Sequence, residues 1–239
     1  MSHNLCVIPA RGGSQRIKGK NVRDFCGKPI ISYPIQTAIE SKLFDEVIVY
    51  TDSQEIDKVA NQYGATTPLF RAQESPNDTA TLTDTILEVL IKYEDTNKWF
   101  ENICCLLPTA VFVTKEDLIS SYNFLNYKVK VNPDCVVSFV KYNHPIQRAF
   151  RMSLNNFDLK SPHYFQMLHP EYALKRTQDL EPSYFDAGQL YWLNTESFLK
   201  QKKIFMNQTV GYQIDAVDID NEEDWRLAEL KYKLKKGLI

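Results

Sequence analysis

The strongest constraint on the fold is a buried-strand pattern followed at once by a loop rich in glycine and positive charge. Residues 5–9 read Leu-Cys-Val-Ile-Pro, an apolar run typical of a strand buried at the centre of a parallel sheet. Within residues 10–21 lie three glycines and four cations: Gly12, Gly13, Gly19, Arg11, Arg16, Lys18 and Lys20. Backbone N–H groups converge readily at glycine, and a concave set of them ringed by cations suits a polyphosphate. The alternative is a solvated basic loop that only turns the chain.

The spacing of this loop excludes two common phosphate-binding motifs. A Walker A loop follows the pattern G-x-x-x-x-G-K-[ST]. Here five residues separate Gly13 from Gly19, and Asn21 follows Lys20. The dinucleotide fingerprint G-x-G-x-x-G is also absent, because Gly12 and Gly13 are adjacent. We therefore predict a phosphate-binding loop of another kind.

Length and charge limit the class of protein. The 239 residues suffice for one large domain, or for one domain with a sizeable insertion. A net charge of −2 provides no general field for nucleic acid or an anionic membrane, so anion binding must be local. We expect no signal peptide and find no apolar run of the roughly 20 residues that a membrane span needs. These features predict a cytoplasmic protein without nucleic-acid or membrane partners.

Cysteines and histidines give no sign of a transition-metal site. The five cysteines lie in or near apolar segments without Cys-x-x-Cys spacing, which favours buried free thiols over zinc or disulfides. None of the four histidines has metal-ligand spacing or lies near a nucleophile signature: His3, His144, His163 and His169. We predict none of them as a catalytic base.

The order of apolar patterns predicts an α/β fold with a mainly parallel sheet. Strands are expected at residues 5–9, 46–50, 102–107 and 135–140. Helices are expected at about residues 32–41, 53–64, 83–93 and 114–126, and after Asn221. Right-handed crossovers would then place the loop after the first strand at the carboxyl edge of the sheet, where such sheets bind ligands.

Two carboxylates near the C-terminus form a candidate metal site. In Val-Asp-Ile-Asp at residues 217–220, an extended backbone would point Asp218 and Asp220 to one face and Ile219 to the core. Paired carboxylates suit Mg²⁺. The alternative is that these acids only begin the helix that Asn221 caps, and Asp215 is a weaker metal candidate.

Residues 8–21 also carry a family resemblance. The pattern Ile-Pro-Ala-Arg-Gly-Gly-Ser-x-Arg-Ile-x-x-Lys-Asn resembles the opening motif of the acylneuraminate cytidylyltransferases, which activate nine-carbon acidic sugars with CTP. The resemblance implies a three-layer α/β/α nucleotidyltransferase fold and Mg²⁺ held by Asp218 and Asp220. It implies catalytic roles for these two aspartates, Arg11 and Lys20. Many relatives have lysine where this chain has Gln15.

The resemblance further implies a nucleotide site and a dimer. The implied nucleotide contacts are Ala10, Arg11, Gly12, Gly13, Ser14, Arg16, Lys20, Asn21, Arg71 and Asp78. Residues 141–185 are rich in proline and large apolar side chains, and the family uses its equivalent insertion to build a homodimer over the sugar site. The alternative is a lid that packs on its own domain.

Four segments resemble the pseudaminic acid branch of the family: residues 104–110, 145–149, 178–180 and 184–192. Leu106 stands where the sialic acid branch usually has glutamine, which argues against ordinary sialic acid. The implied sugar contacts are Thr79, Gln147, Arg148, Gln178, Asp179, Asp186, Gly188 and Gln189.

The sequence therefore predicts transfer of CMP from CTP to the anomeric hydroxyl of pseudaminic acid, with release of pyrophosphate. Such a product would serve flagellin glycosylation or surface polysaccharide biosynthesis. Legionaminic, sialic or KDO-like acids are alternative sugars. The alternative from a different functional class is a sensor that binds a nucleotide sugar and catalyses no reaction.

Overall fold

A computed structural model describes residues 3–14, 16–69, 80–127, 131–152 and 164–239. The chain divides into two compact units, one of Met1–Phe139 with Ala187–Ile239 and one of Val140–Asp186. Among the described residues, no helix combines the length and the apolar character that crossing a membrane requires.

Ten strands occur in the described ranges. In chain order they are β1 Asn4–Pro9, β2 Asp24–Phe25, β3 Lys28–Pro29, β4 Glu46–Tyr50, β5 Asn102–Leu106, β6 Cys135–Lys141, β7 Phe150–Met152, β8 Phe165–Met167, β9 Tyr184–Asn194 and β10 Thr209–Gln213. The α-helices of the same ranges are α1 Ser32–Ser41, α2 Gln54–Gln62, α3 Leu82–Glu94, α4 Lys115–Leu125, α5 Thr195–Gln201 and α6 Glu222–Lys235.

The main sheet has the strand order β10-β6-β9-β5-β1-β4. β1 runs parallel to both of its neighbours, β4 and β5, and β10 runs parallel to β6. β9 runs antiparallel to β5, so the sheet is mixed. The side chains of Leu5, Cys6, Val7 and Ile8 are fully buried, which confirms the predicted buried first strand. The carboxyl ends of β1 and β5 consequently lie side by side at one edge of the sheet.

Helix starts follow the capping residues of the sequence. Ser53 accepts a hydrogen bond from the Ile56 N–H at 3.4 Å and begins α2. Thr114 and Asp117 form a capping box at the start of α4, and Asn221 and Asp224 form one at the start of α6. In each box, the side chain of either residue accepts a hydrogen bond from the backbone N–H of the other. The predicted helix at residues 32–41 is confirmed to the residue, and the others to within about two residues.

The unit Val140–Asp186 has its own small framework. β7 and β8 pair antiparallel as a two-stranded ribbon. Side chains bond backbone carbonyls across the unit: Gln147 Nε2 donates to the Glu181 carbonyl at 3.1 Å, and the Arg148 guanidinium donates to that of Lys175. Several apolar side chains remain exposed, among them Phe150, Tyr164, Phe165 and Leu174.

Candidate active site

A cavity of about 390 Å³ opens at the carboxyl ends of β1 and β5. Its lining consists of the strand ends, the glycine-rich loop and the turn after β5: Pro9, Arg11, Ser14, Arg16, Lys20, Asn21, Leu107, Pro108 and Thr109. Other concavities of 440 to 530 Å³ occur elsewhere on the same unit, so size alone does not single this one out. Its position does, because ligands of α/β sheets bind at the carboxyl ends of the strands.

The cavity brings together five of the ten residues predicted to contact the nucleotide. Arg11, Ser14, Arg16, Lys20 and Asn21 line the cavity. Asn21 is nearly buried and donates from Nδ2 to the Arg11 carbonyl at 3.0 Å, which ties the end of the loop to its beginning. The loop therefore has a defined conformation, although Arg11, Arg16 and Lys18 in it are exposed, and phosphate binding by it stays a prediction.

Gly12 departs from the predicted arrangement. Its N–H donates to the Asp52 carboxylate, with 2.7 Å between N and Oδ1. This amide already has an acceptor, whereas the family resemblance implies that Gly12 contacts the nucleotide. Sequence reasoning missed Asp52 as a site residue. The available signal was its position two residues after the end of β4, a parallel neighbour of β1 whose carboxyl end lies at the same edge.

Positive charge on the loop meets the acidic segment before α6. Lys20 donates from Nζ to the carbonyl of Ile219, the residue between the two predicted metal-binding aspartates. Arg16 forms an ion pair with Asp220, with 2.7 Å between Nη1 and Oδ2. Burial lowers the pKa of the Lys20 ammonium, and the opposing charges of Asp220 and Asp218 counteract this effect. The loop cations and the paired carboxylates thus form one cluster.

Asp218, the first member of the acidic pair, is an exposed residue beside Gly188. Its carboxylate lies against Gly188, where an added Cβ would be 3.8 Å from the Asp218 Cγ. Partial desolvation raises the pKa of Asp218, and the nearby charge of Asp220 raises it further, while Lys20 acts in the opposite direction. Gly188 itself has a φ of +58°, a conformation that favours glycine.

The backbone around Asp218 and Asp220 differs in part from the prediction. Residues 214–220 belong to no strand, although Ile219 is fully buried as predicted. Asp224 accepts hydrogen bonds from the N–H groups of Asp220 and Asn221, each at 3.0 Å, which fixes the segment to the start of α6. Asp224 is thus the acid that caps α6, and a metal-binding role for Asp218 and Asp220 stays a prediction.

Asp215 is held away from this cluster. Lys231 and Lys235 on α6 both form ion pairs with its carboxylate. Hydrogen bonding from Lys231 lowers the pKa of Asp215. Among the described residues, no group of three or more histidine, cysteine, aspartate or glutamate side chains is arranged to hold a metal ion.

The predicted sugar contacts fall into two groups. Gln147, Arg148, Gln178, Asp179 and Asp186 belong to the unit Val140–Asp186, where Asp179 pairs with Arg176 at 2.8 Å. Gly188 and Gln189 belong to the larger unit. Arg71, Asp78 and Thr79 lie outside the described residues, as do Gln15 and His163.

Gln189 is not a surface residue. Its side chain is fully buried, Nε2 donates to the Gly188 carbonyl at 3.0 Å, and Oε1 has no partner among the described residues. Its backbone carbonyl accepts the Leu107 N–H at 2.9 Å. Gln189 therefore supports the cavity wall from behind, and a direct sugar contact stays a prediction.

Comparison with known proteins agrees with this geometry. The sequence profile of the family described as cytidylyltransferase matches residues 5–224. The chain is 34% identical over 235 residues to the pseudaminic acid cytidylyltransferase of Campylobacter jejuni serotype O:2, covering 97% of each. It is 30% identical over 236 residues to the CMP-N,N'-diacetyllegionaminic acid synthase of Legionella pneumophila, again covering 97% of each.

The fold is that of a nucleotidyltransferase. The solved structure of CMP:2-keto-3-deoxy-manno-octonic acid synthetase complexed with CTP matches with a TM-score of 0.67 at 16% identity, covering 100% of both chains. This likeness confirms the predicted α/β nucleotidyltransferase fold with a mainly parallel sheet. With the profile match over most of its length, the chain belongs to the cytidylyltransferase family.

Proposed function

We propose that this protein uses CTP to activate a nonulosonic acid, transferring CMP to the anomeric hydroxyl of the sugar and releasing pyrophosphate. One observation carries the proposal. A cavity lined by Arg11, Arg16 and Lys20 directly adjoins the carboxylates of Asp218 and Asp220. Cations suit a triphosphate, and paired carboxylates suit the metal ion that accompanies it.

The loop cations bind and orient the triphosphate in this proposal. In the reaction the anomeric oxygen forms a bond to the α-phosphorus, and the bond from that phosphorus to the pyrophosphate oxygen breaks. Negative charge grows on the leaving pyrophosphate, so fixed cations lower the barrier more than they stabilise bound CTP. Arg11 and Lys20 supply that charge, and Asn21 at the end of the loop contacts the nucleoside.

Asp218 and Asp220 fit a Mg²⁺ ion by the chemistry of their donor set. Magnesium in nucleotide sites is usually held by one or two carboxylates, with substrate phosphates and water completing the shell. The ion would neutralise phosphate charge and lower the pKa of the attacking hydroxyl.

We further propose that the sugar is pseudaminic acid. The four segments that resemble this branch support it, as does the 34% identity to the Campylobacter jejuni enzyme against 30% for the Legionella pneumophila synthase. Within Val140–Asp186, Gln147 Oε1 and Arg148 Nε are buried without a partner among the described residues. Such polar atoms are suited to sugar hydroxyl, N-acyl or carboxylate groups.

We also propose a homodimer formed through the unit Val140–Asp186. Its exposed apolar side chains include Leu174 at 100%, Tyr164 at 88% and Phe165 at 64% relative exposure. Large apolar groups concentrated in a small unit favour association.

We also propose a cytoplasmic location. Free thiols persist in a reducing compartment, and four of the free cysteines are buried: Cys6, Cys104, Cys105 and Cys135.

The test is pyrophosphate release from CTP and Mg²⁺ with pseudaminic, legionaminic, N-acetylneuraminic and KDO acids in parallel. We expect release with pseudaminic acid and its loss in Asp220→Ala. Asp215→Ala is the matched control, because this carboxylate is held by Lys231 and Lys235 away from the cavity. If pyrophosphate were released with a different sugar only, the proposed reaction would stand and pseudaminic acid would be replaced as the proposed substrate. CTP binding without release for any sugar would favour the sensor.

A further inference from the structure

The first half of the glycine-rich loop is anchored by a residue outside the loop. Asp52 lies two residues after the end of β4, and its Oδ1 accepts the Gly12 N–H at 2.7 Å. A hydrogen bond to an ionised acceptor is shorter and stronger than a neutral one. The contact joins residues 40 positions apart in the chain.

Packing at Gly12 reinforces this anchor. A Cβ added at Gly12 would lie 3.0 Å from the Ser53 Cβ and 3.5 Å from the Asp52 Oδ1. The loop backbone therefore rests directly on the turn at residues 51–53. At Gly13, by contrast, an added Cβ would meet nothing within 4 Å.

The turn that carries Asp52 is itself fixed. Thr51 is fully buried, and its Oγ1 accepts the Ser53 N–H at 3.1 Å. Ser53 caps α2, and the Ala10 N–H extends the pairing of β1 with β4 by donating to the Tyr50 carbonyl at 2.9 Å. Asp52 thus projects from a turn that is fixed by hydrogen bonds. The loop that it contacts is fixed at its start by the bond between Ala10 and Tyr50.

The electrostatics of this contact point to positioning. A carboxylate beside a triphosphate site repels the ligand and takes up one loop amide, so it cannot contribute direct binding energy. We propose that Asp52 is a positioning residue that fixes residues 11–14 so that Arg11 and Ser14 face the cavity. This inference rests on the proposed function only in taking CTP as the ligand.

Substitution at Asp52 separates its acceptor role from its charge. In Asp52→Ala the acceptor is lost, and we expect the KM for CTP to rise about tenfold with kcat changed less than about threefold. In Asp52→Asn the Oδ1 acceptor is kept, and the weaker neutral hydrogen bond is offset by the loss of charge repulsion, so CTP should bind more tightly than to Asp52→Ala. Matched controls are Glu55→Ala and Glu55→Gln, in the exposed first turn of α2, which should leave both constants unchanged.

Equilibrium binding of CTP without sugar is measured first. If the unmodified chain binds no CTP, the proposed function fails whatever Asp52 does. If it binds CTP and Asp52→Ala binds equally well, the positioning role is wrong. If Asp52→Asn bound CTP no more tightly than Asp52→Ala, the positioning role of the Oδ1 acceptor would also be wrong. The negative charge of Asp52, and not its hydrogen bond to Gly12, would then explain the loss of binding.

Gly12→Ala is the second variant, should Asp52→Ala fail to fold. It leaves Asp52 intact and pushes the loop from the turn through the 3.0 Å contact with Ser53. We expect the same rise in the KM for CTP, with a thermal unfolding curve that reports a folded protein. A folded Gly12→Ala protein with an unchanged KM would contradict the proposal.

Discussion

Arg16 and Asp220 form an ion pair in which Nη1 of the arginine lies 2.7 Å from Oδ2 of the aspartate. The pair joins the glycine-rich loop to the segment before α6. Both members are proposed to have other partners in the reaction, phosphate for Arg16 and Mg²⁺ for Asp220. Because the Arg16 side chain is 70% exposed, the pair is weak and its members can exchange partners when the ligands bind.

This exchange predicts that Arg16 competes with the metal. In Arg16→Ala, Asp220 loses its neutralising partner, so nucleotide-free protein should bind Mn²⁺, used as a Mg²⁺ substitute, up to about fivefold more tightly. The KM for CTP should rise in the same variant. Metal titration by electron paramagnetic resonance measures the first effect. Arg23→Ala is the control, since Arg23 pairs with Glu222 at 2.6 Å and does not line the cavity. Unchanged Mn²⁺ affinity in Arg16→Ala would disprove the competition.

The raised pKa of Asp218 predicts a small cost in stability at neutral pH, because Asp218 is an exposed residue and solvent screens its charge. A carboxylate with a raised pKa holds its proton more tightly when folded, so its contribution is most favourable below its ordinary pKa and declines as pH rises through the folded value. Asp218→Asn removes the ionisable group. We therefore expect a higher melting temperature than the unmodified metal-free protein at pH 7, with the difference vanishing near pH 4. Turnover should fall at least about 100-fold.

Asp215 provides a control of opposite sign. Its pKa is lowered by hydrogen bonding from Lys231, so its ionised form stabilises the fold at neutral pH and this contribution is lost as pH falls through the folded value. Asp215→Asn should lower the melting temperature at pH 7. Melting curves of both variants in a chelator from pH 4 to pH 8 measure the two signs. A lower melting temperature for Asp218→Asn than for the unmodified protein at pH 7 would contradict the raised pKa of Asp218.

Among the described residues, local patterns predict five of the six α-helices and four of the six strands of the main sheet, but not α5, β9 and β10. In β9, the family resemblance implies sugar contacts at Asp186, Gly188 and Gln189 and says nothing of a strand. β9 lies between β6 and β5, and Leu190, Trp192 and Leu193 in it are fully buried. Burial on both faces removes the polar–apolar alternation that marks a strand in sequence. The antiparallel direction depends on pairing with β5, which no local pattern contains.

The candidate site was predictable where its chemistry is local in sequence. Glycines and cations within residues 10–21 indicate a phosphate cradle, and Asp218 with Asp220 indicates a metal site. The contacts that assemble these parts are not local. Lys20 and Ile219 are 199 residues apart, and Gly12 and Asp52 are 40 apart. Such contacts follow from the strand order and not from a motif.

Lys20 should contribute more to turnover than any other loop cation. It lines the cavity and is held beside Asp218 and Asp220 by its bond to the Ile219 carbonyl. By analogy with the removal of an oxyanion donor, Lys20→Ala should lose about 2–4 kcal/mol of transition-state stabilisation. Single-turnover kinetics measure this loss. Lys18→Ala is the control in the same loop, because Lys18 is exposed and outside the cavity lining. If Lys20→Ala and Lys18→Ala both turned over at the rate of the unmodified protein, Lys20 would have no part in the mechanism.

The exposed apolar side chains of Val140–Asp186 predict where the proposed dimer would form. Phe165→Glu places a charge on β8 at a position that is 64% exposed. If this surface is buried between two copies, the charge must be desolvated, and the dimer should weaken at least about 100-fold. Analytical ultracentrifugation measures the dissociation constant. Leu234→Glu on α6 is matched in exposure at 68% and should leave the dimer intact. A dimer that resists Phe165→Glu but dissociates with Leu234→Glu would move the interface from Val140–Asp186 to the last helix.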